Sequence, residues 1–242
     1  MSHRFFLDPT LNSGRLLAGS SIRLQGDQAH HAINVMRFSP GDQIVLFDGS
    51  GVEYSATVAA VEKKSISLTI IEATESSRAI QTRITIAVAL PKGDRQKFLI
   101  EKLVELGVQT LLPLKTKRAV AVANPKVIAR LEKQVVEASK QCGRNTLMKI
   151  QQPQTIDQMI QSAGEGHKLL ADPYQGKPIS HFAAEQVDEF TVAVGPEGGF
   201  DDSEVELLIT NNFQPTRLGP SILRIETACV AIAAILGIGQ EE

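Results

Sequence analysis

Two glycine-rich turns near the carboxyl end constrain this chain most. Residues 194–200 read VGPEGGF and residues 217–228 read RLGPSILRIETA, and each turn follows a short apolar run and precedes a plausible helix. Glycine lets the main chain take positive φ and approach a ligand within hydrogen-bonding distance. In α/β sheets, ligands bind beyond the carboxyl ends of the strands, where such turns lie. The two turns therefore predict a ligand site on an α/β sheet.

The turns match neither common nucleotide motif. The chain has no G-x-G-x-x-G and no Gly-Lys-Ser/Thr, so a dinucleotide or a triphosphate is poorly supported. An acidic helix start at residues 201–203 follows the first turn, and we expect its free amides to point at the ligand. In the second turn, Ile222 and Leu223 lie between polar neighbours and would suit a flat adenine ring.

Composition places the chain among ordinary globular proteins. Its 242 residues, 43% hydrophobic and 21% charged, suffice for one large or two modest domains. The first residues lack the apolar core of a signal peptide, and the most apolar stretch, 228–239, is too short to span a bilayer. Cys142 and Cys229 are far apart and indicate neither a disulfide framework nor a zinc site. We expect a cytoplasmic protein with no metal and no membrane partner.

The net charge of −2 conceals a strong asymmetry along the chain. Residues 78–149 hold 15 Lys and Arg against 5 Asp and Glu, whereas residues 150–242 hold 4 against 14. A basic segment in an otherwise acidic protein indicates a local surface for a polyanion such as nucleic acid. The alternative is that these charges only line solvated helix faces.

The hydrophobic period divides the chain in two. Residues 1–72 read as short strands with one helix, 27–36, in which Asp27 is the expected cap and Ile33 and Met36 face inward. Such a segment predicts a small β-barrel or sandwich. Residues 73–82 are polar and aperiodic and read as a linker.

From residue 83 onward, strands alternate with helices. A strand at 84–90, a helix at 95–106 and a strand at 108–114 form a βαβ unit, which predicts a parallel sheet. A long helix follows at 125–141, with core positions expected at Val127, Leu131, Val135 and Ala138. Apolar runs at 168–171 and 190–194 supply further strands. Residues 83–242 are therefore predicted to form a separate α/β domain.

The two turns and several other segments, in this order, resemble one known family. Besides 194–200 and 217–228, the matching pieces include Arg4-Phe5-Phe6, His31, Leu46-Phe47-Asp48-Gly49, Glu105-Leu106-Gly107-Val108 and Gln141-Cys142-Gly143-Arg144-Asn145. Together they resemble the RsmE family, the 16S ribosomal RNA uridine-N3 methyltransferases of the SPOUT superfamily. Lys140, Leu131 and Ala119 depart from the pattern of the family, and all three lie in the basic segment.

The resemblance implies a fold, a cofactor and partners. It implies an amino-terminal PUA-like β-barrel that binds RNA and a carboxyl-terminal SPOUT α/β domain with a deep trefoil knot. It also implies a homodimer, 16S ribosomal RNA or the small subunit as substrate, and S-adenosyl-L-methionine as cofactor. By position, the implied cofactor-binding residues are Leu170, Ala171, Val194, Gly195, Pro196, Glu197, Gly198, Gly199, Leu218, Gly219, Ser221, Ile222, Leu223, Thr227 and Ala228.

Methylation of a uracil ring nitrogen requires removal of its proton, so a base or a group that stabilises the anion is expected. Arg224 is the first candidate for stabilising a uracil oxygen or a phosphate, with a structural ion pair as the alternative. Glu226 or Glu197 would take the proton, although bonding to loop amides is the favoured interpretation for Glu197. Arg224 and Glu226 are the predicted catalytic residues.

Basic side chains in both halves are candidates for holding RNA phosphates. The predicted set is Arg4, Arg23, His31, Arg37, Lys92, Arg95, Arg118 and Arg144. With no tryptophan and 5% aromatic residues, base stacking is not expected to dominate affinity. The alternatives to a uridine methyltransferase are a methyltransferase for another RNA position, a non-catalytic RNA-binding or assembly factor, and a phosphate-binding enzyme.

Overall fold

The computed structural model describes residues 3–9, 15–75, 80–121, 123–185 and 187–238. The chain divides into two compact units. The first unit comprises residues 1–78 together with 139–147, and the second comprises 79–138 together with 148–242. The domain boundaries read from the sequence stay a prediction.

The first unit is built on one five-stranded sheet in the order β1-β3-β4-β5-β2. Its strands are β1 (Arg4–Phe6), β2 (Ser21–Leu24), β3 (Gln43–Phe47), β4 (Val52–Val61) and β5 (Ile66–Glu75). β1 pairs with β3 in parallel, whereas the other neighbours are antiparallel. Alternate side chains of these strands fill a core around Tyr54, Leu46 and Leu68. Strand β5 continues to Glu75, into the segment from residue 73 that the sequence predicts as a linker.

One short helical segment packs on this sheet. Helix α1 (Gly26–His30) passes directly into a π-helical turn (His31–Val35), and Ile33 and Met36 pack against the core as predicted. The prediction that Asp27 caps the helix is wrong. Gln25 occupies the cap position without a side-chain bond, because the helix begins one residue earlier at Gly26. Asp27 lies in the first turn, where its charge still favours the positive helix end.

A distant segment, residues 139–147, completes the first unit. The turn at residues 49–51 contacts it through β-bridges from Gly49 and Ser50 to Thr146 and a hydrogen bond from the Gly51 amide to the Asn145 carbonyl at 3.2 Å. Gly49 has φ of 88°, and a Cβ there would lie 2.9 Å from Leu147 Cγ. Glycine is therefore required at this contact.

The second unit contains a sheet in the order β11-β13-β10-β12-β6-β7-β8, with β9 also on β7. Every described pairing in it is parallel, as the βαβ pattern predicts. The elements are β6 (Arg83–Val88), α2 (Arg95–Glu105), β7 (Thr110–Lys115), α3 (Pro125–Cys142), β8 (Lys149–Ile150), β9 (Gln154–Thr155), α4 (Ile156–Ser162), β10 (His167–Ala171), β11 (Lys177–Pro178), α5 (Ile179–Ala183), β12 (Glu189–Val194), α6 (Asp202–Thr210), β13 (Gln214–Arg217) and α7 (Ile225–Ile238).

The long helices follow their apolar periods closely. Leu99 and Leu103 of α2 are fully buried, and Gly107 ends this helix region with φ of 79°. In α3, Leu131, Val135 and Ala138 are buried, but Val127 is only half-buried. Ile128 occupies the core position instead, at 3% exposure, so the predicted register is wrong by one residue in the first turn.

The sheet order brings the two glycine turns together. Strand β10 lies between β12 and β13, and the three strands are parallel, so their carboxyl ends lie at the same edge. The first glycine turn follows β12 and the second follows β13. The candidate site is therefore built at this edge, around the end of β10.

Candidate active site

A reciprocal cap closes the amino end of α6, directly after the first glycine turn. The Asp201 side chain accepts from the Ser203 amide at 3.3 Å, and Glu204 Oε2 accepts from the Asp201 amide at 2.8 Å. The predicted acidic helix start is confirmed. The amides of Ser203, Glu204 and Val205 all find acceptors in Asp201, so the expectation that these free amides face a ligand is wrong.

Two basic side chains hold this turn from outside. Arg118 Nη1 donates to the carbonyl oxygens of Gly198 at 3.1 Å and Phe200 at 3.3 Å. Lys117 Nζ lies 3.0 Å from Asp201 Oδ1, and the Lys117 amide donates to Glu204 at 2.8 Å. The structure thus places Arg118, a predicted RNA contact, against the backbone of the first glycine turn.

These contacts change the titration of the capping residue. Hydrogen bonds from Lys117 and then from Ser203 lower the pKa of Asp201 from its ordinary 3.8 to about 2. The folded protein therefore binds this proton less readily than the unfolded chain. The ionised carboxylate contributes stability above pH 3.8, and that contribution is lost as the pH falls towards about 2.

Asp201→Asn tests this dependence, because asparagine caps helices about as well as aspartate but carries no charge. We expect the wild type to be more resistant to urea than the variant at neutral pH. The difference in midpoint should shrink as the pH falls from above 3.8 towards about 2. Urea denaturation over this range measures it, and a difference independent of pH would contradict the assignment.

The glycines of the two turns differ in how much room a side chain would have and in backbone conformation. A Cβ at Gly195 would lie 3.0 Å from the Phe200 ring, so this glycine allows close packing within the turn. At Gly198 the nearest heavy atom would be Arg118 Cδ at 3.7 Å, and Gly199 has φ of 70°. At Gly219, apart from chain neighbours, no described heavy atom lies within 4 Å of a built Cβ. Gly219 therefore borders open space that a ligand can occupy.

The second turn leads into α7 and presents an apolar surface. Ile222 is 70% exposed, Leu223 is half-buried, and Ser221, Arg224 and Thr227 are exposed. Leu218 is half-buried and Ala228 is buried. The carbonyl oxygen of Arg224 accepts from the Ala228 amide at 2.8 Å, which fixes the first turn of α7. An exposed isoleucine on a fixed turn is a suitable wall for a flat apolar ligand group.

A buried carboxylate lies in the first turn of α7. The Glu226 side chain is 8% exposed, and its Oε2 has no hydrogen-bond partner among the described residues. Arg95 Nη1 lies 3.8 Å from this oxygen, which is within ion-pair range but too long for a hydrogen bond. Burial, and then the nearby Glu226 charge, raise the pKa of the Cys229 thiol, which stays protonated. Glu226 therefore has one enclosed acceptor oxygen whose hydrogen-bonding capacity no described residue uses.

Arg95 connects this carboxylate to the first glycine turn. Its Nη2 donates to Glu197 Oε1 at 2.9 Å, while its other terminal nitrogen approaches Glu226. Glu197 thus bonds the guanidinium of Arg95 and not the loop amides that the sequence interpretation favoured. The structure brings both glutamates that the sequence singled out to a single arginine.

Comparison with known proteins assigns the chain to a family. A family model described as RNA methyltransferase domain matches residues 78–237, and one described as RNA methyltransferase PUA domain matches residues 24–71. The ribosomal RNA small subunit methyltransferase E of Bacillus subtilis is 31% identical over 96% of this chain and 95% of its own length. This chain belongs to the ribosomal RNA small subunit methyltransferase E family.

Solved structures of similar proteins have the same fold. The Neisseria gonorrhoeae ribosomal RNA small subunit methyltransferase E, bound to S-adenosyl methionine, superposes with a TM-score of 0.87 at 28% identity, covering 97% of this chain and 96% of that one. A Legionella pneumophila structure with bound SAM gives 0.86 at 30% identity, covering 98% and 97%. The family, its PUA domain and the mixed α/β fold that the resemblance implied are confirmed.

The residues at the carboxyl edge fit the cofactor of these solved relatives. Gly219 borders open space, and Ile222 offers an exposed apolar wall. S-adenosylmethionine carries an adenine ring, which needs an apolar wall. Leu170, at the end of β10, is buried at 1% exposure and supports the edge from below.

The predicted RNA-binding residues of the first unit differ in exposure. Arg23, His31 and Arg37 are exposed, and Arg37 has φ of 56°. Arg4 and Arg144 lie inside the unit. The Arg4 side chain is 8% exposed and donates to Glu53 and Asn145, while burial lowers the pKa of Arg144 and its Nε donates to Thr146. Arg4 therefore links β1 to the segment 139–147, and Arg144 is buried within that segment.

We expect Arg4→Met to lower the free energy of unfolding of the first unit by about 3 kcal/mol, because it leaves the half-buried Glu53 carboxylate and the buried Asn145 side chain without their cation. Arg23→Met is a matched control, since Arg23 pairs with Glu62 at 49% side-chain exposure. Its loss should cost less than about 1 kcal/mol. Hydrogen exchange of β3 and β4 amides measures both, and equal effects would contradict the buried role of Arg4.

In the second unit, Lys92 is exposed and Arg95 and Arg118 contact the first glycine turn, as described above.

Within the part of the chain that the structure describes, no helix is long and apolar enough to cross a membrane. Histidine, cysteine, aspartate and glutamate form no group of three among the described residues that could hold a metal ion.

Sequence reasoning missed two features of the site. The capping role of Glu204 was readable, because Asp201 and Glu204 have the spacing of a capping box. The pairing of Arg95 with Glu226 had no local signal, since these residues are far apart in the chain and meet only through folding.

Proposed function

We propose that this chain transfers a methyl group from S-adenosylmethionine to ring nitrogen N3 of a specific uridine in 16S ribosomal RNA of the small subunit. The family assignment supports the reaction class, and the carboxyl edge supplies room and an apolar wall for the cofactor. The observation that carries the proposal is the buried Glu226 carboxylate, with one oxygen unpartnered among the described residues, beside both glycine turns.

Glu226 is the proposed proton acceptor. When bound, the cofactor supplies an electrophilic methyl group on a sulfonium, and N3 of uracil must lose its proton to attack it. A carboxylate oxygen without a hydrogen-bond partner can accept this proton when the uracil ring lies within hydrogen-bond reach. Arg95, 3.8 Å from that oxygen, places a positive charge beside the carboxylate on the side of α2.

Arg224 is the proposed stabiliser of the uracil anion. Deprotonation of N3 spreads negative charge onto the ring oxygens, and a guanidinium placed there stabilises the charge that develops. Arg224 is exposed and directly precedes α7, so its side chain is available to a substrate next to Glu226. The two predicted catalytic residues then have complementary tasks: one takes the proton and the other stabilises the charge.

The exposed basic residues are proposed to position the RNA. Arg23, His31 and Arg37 in the first unit and Lys92 in the second present donors to solvent, which suits contacts to phosphate oxygens. The side chains of Arg4, Arg118 and Arg144 instead make contacts within their own units, and their proposed role is to stabilise those units.

A trefoil knot, a homodimer and a cytoplasmic location also remain proposals. Residues 172–176 support the knot, because they leave β10 on one side of β13 and enter β11 on its other side. Both Ala171 and Lys177 pair with Thr216 from opposite sides. The apolar helix α7 supports a dimer, since Val230, Ala234 and Ile235 are only half-buried within the unit.

The decisive experiment is to locate the methyl group. Purified protein is incubated with methyl-labelled S-adenosylmethionine and either assembled small subunits or naked 16S ribosomal RNA, and the digested nucleosides are separated. We expect 3-methyluridine at a single site, detected as a stop in primer extension because N3 methylation blocks base pairing.

The other outcomes identify the alternatives. Label in a different nucleoside would replace the uridine assignment with another RNA position. Cofactor binding and RNA binding without any transferred label would favour a non-catalytic RNA-binding or assembly factor on this fold.

A further inference from the structure

Tyr174 is an aromatic side chain that the described residues of the second unit leave largely exposed. It lies in the turn between β10 and β11 and is 74% exposed. Tyrosine is usually at least partly buried, because its ring contributes a large apolar area. A largely exposed ring next to a ligand site is therefore a candidate contact for a planar ligand group.

The turn that carries Tyr174 is held in one conformation. Asp172 Oδ1 accepts from the amides of Tyr174 at 2.7 Å and Gln175 at 3.0 Å, and the Asp172 amide donates to the Thr216 carbonyl at 2.9 Å. Such side-chain-to-backbone bonds define an Asx turn. The ring is therefore presented from a fixed backbone, which lowers the entropy lost on binding.

Gly176 fixes the other end of this turn. It has φ of 95°, and a Cβ there would lie 1.9 Å from the carbonyl oxygen of Pro215. The Gly176 carbonyl accepts from Arg217 Nε at 3.1 Å. The turn is thus fastened to β13, the strand that leads into the second glycine turn.

The sheet order sets the position of Tyr174 relative to the site. β10 lies between β12 and β13 and is parallel to both. The turn after β10 therefore emerges at the same edge as the first glycine turn, after β12, and the second, after β13. Tyr174 follows Leu170 and Ala171, the predicted cofactor residues, by only a few positions.

We propose that Tyr174 is the stacking surface for the target base, deepening the proposed function on which it rests. Enzymes that modify a base extrude it from its stack, and an aromatic ring replaces part of the lost stacking. The ring contacts the base and not the cofactor, so it acts on RNA affinity. Stacking of this kind changes affinity by about 10- to 100-fold per base.

The test compares Tyr174→Ala with Tyr174→Phe in the full chain. We measure KM and kcat for methyl transfer, the dissociation constant of 16S ribosomal RNA and that of S-adenosylmethionine. Tyr174→Ala should raise KM and weaken RNA binding about 10- to 100-fold, with cofactor affinity unchanged. Tyr174→Phe should restore wild-type values, because the ring and not the hydroxyl group makes the contact.

Ile209→Ala on α6 is the matched control, since it removes an apolar side chain that is 48% exposed away from this turn. Equal RNA affinity in wild type and Tyr174→Ala would overturn the inference, whether or not methyl transfer is observed. Weaker cofactor binding in Tyr174→Ala would also overturn it. An inactive wild type that still binds RNA through Tyr174 would contradict only the proposed reaction.

Discussion

Glu226→Gln should reduce kcat for methyl transfer by about 10²- to 10⁴-fold, the usual contribution of a positioned general base. Glutamine has nearly the same shape and fills the same space, but its amide cannot take up the proton. Because the Glu226 side chain is 8% exposed and adjoins Arg95, the substitution removes the buried charge without opening a cavity. Single-turnover transfer to 16S ribosomal RNA at saturating cofactor measures the effect.

Two comparisons make this prediction specific. Glu197→Gln removes the other carboxylate that pairs with Arg95, and it should lower kcat far less, since Glu197 is 38% exposed and bonds Arg95 directly. Glu206→Gln, at an exposed position of α6, should leave kcat unchanged. If Glu197→Gln causes the larger loss, the proton acceptor is Glu197, and the role proposed for Glu226 is wrong.

Gly219→Val should weaken binding of S-adenosylmethionine by about 100-fold, because the valine side chain would occupy space that the bound cofactor fills, and overpacking of this kind costs up to about 3 kcal/mol. The fold itself should tolerate the change. Apart from chain neighbours, no described heavy atom lies within 4 Å of a Cβ at this position, and Gly219 does not have the positive φ that disfavours other residues. Calorimetric titration gives the affinity, and thermal denaturation gives the stability.

Ala129→Val is the control for Gly219→Val, since it adds carbon atoms at an exposed position of α3 in the same unit. Its cofactor affinity should equal that of the wild type. Gly219→Val with unchanged stability and unchanged cofactor affinity would place the cofactor elsewhere. Gly198→Val tests the first glycine turn for cofactor binding in the same way. The fold should tolerate this valine, because the nearest atom to a Cβ built at Gly198 is Arg118 Cδ at 3.7 Å, and the Arg118 side chain can move aside.

Much of the second unit was readable from local pattern. The strands and helices from β6 to α3, and strand β12, lie close to their predicted bounds, because each has a clear apolar period. The parallel sheet followed from the βαβ pattern, and the carboxyl-edge position of both glycine turns followed from the parallel sheet.

The errors occur where local signals compete. Asp27 is a good capping residue, but Gly26 begins the helix before it. Val127 and Ile128 are adjacent and both apolar, so periodicity could not decide which one faces the core. The acidic helix start was found, yet its carboxylates use the amides that were expected to face the ligand.

The number of charges in the sequence could not show which arginines are exposed and which are buried. Arg4, Arg144 and Arg23 carry the same charge in the sequence. The structure buries the first two around residues 139–147 and exposes the third. Burial of a cation depends on partners such as Glu53 and Asn145, which fold next to Arg4 from distant parts of the chain.

The sequence by itself determined the family, the α/β alternation and the two glycine turns, because these depend on residue types at short spacing. Only the tertiary structure decided that Arg95 lies between Glu197 and Glu226, that Glu226 retains an unpartnered oxygen, and that Tyr174 is presented between the turns. The physical reason is that burial and pairing are set by contacts between residues far apart in the chain, and local spacing carries no information about those contacts.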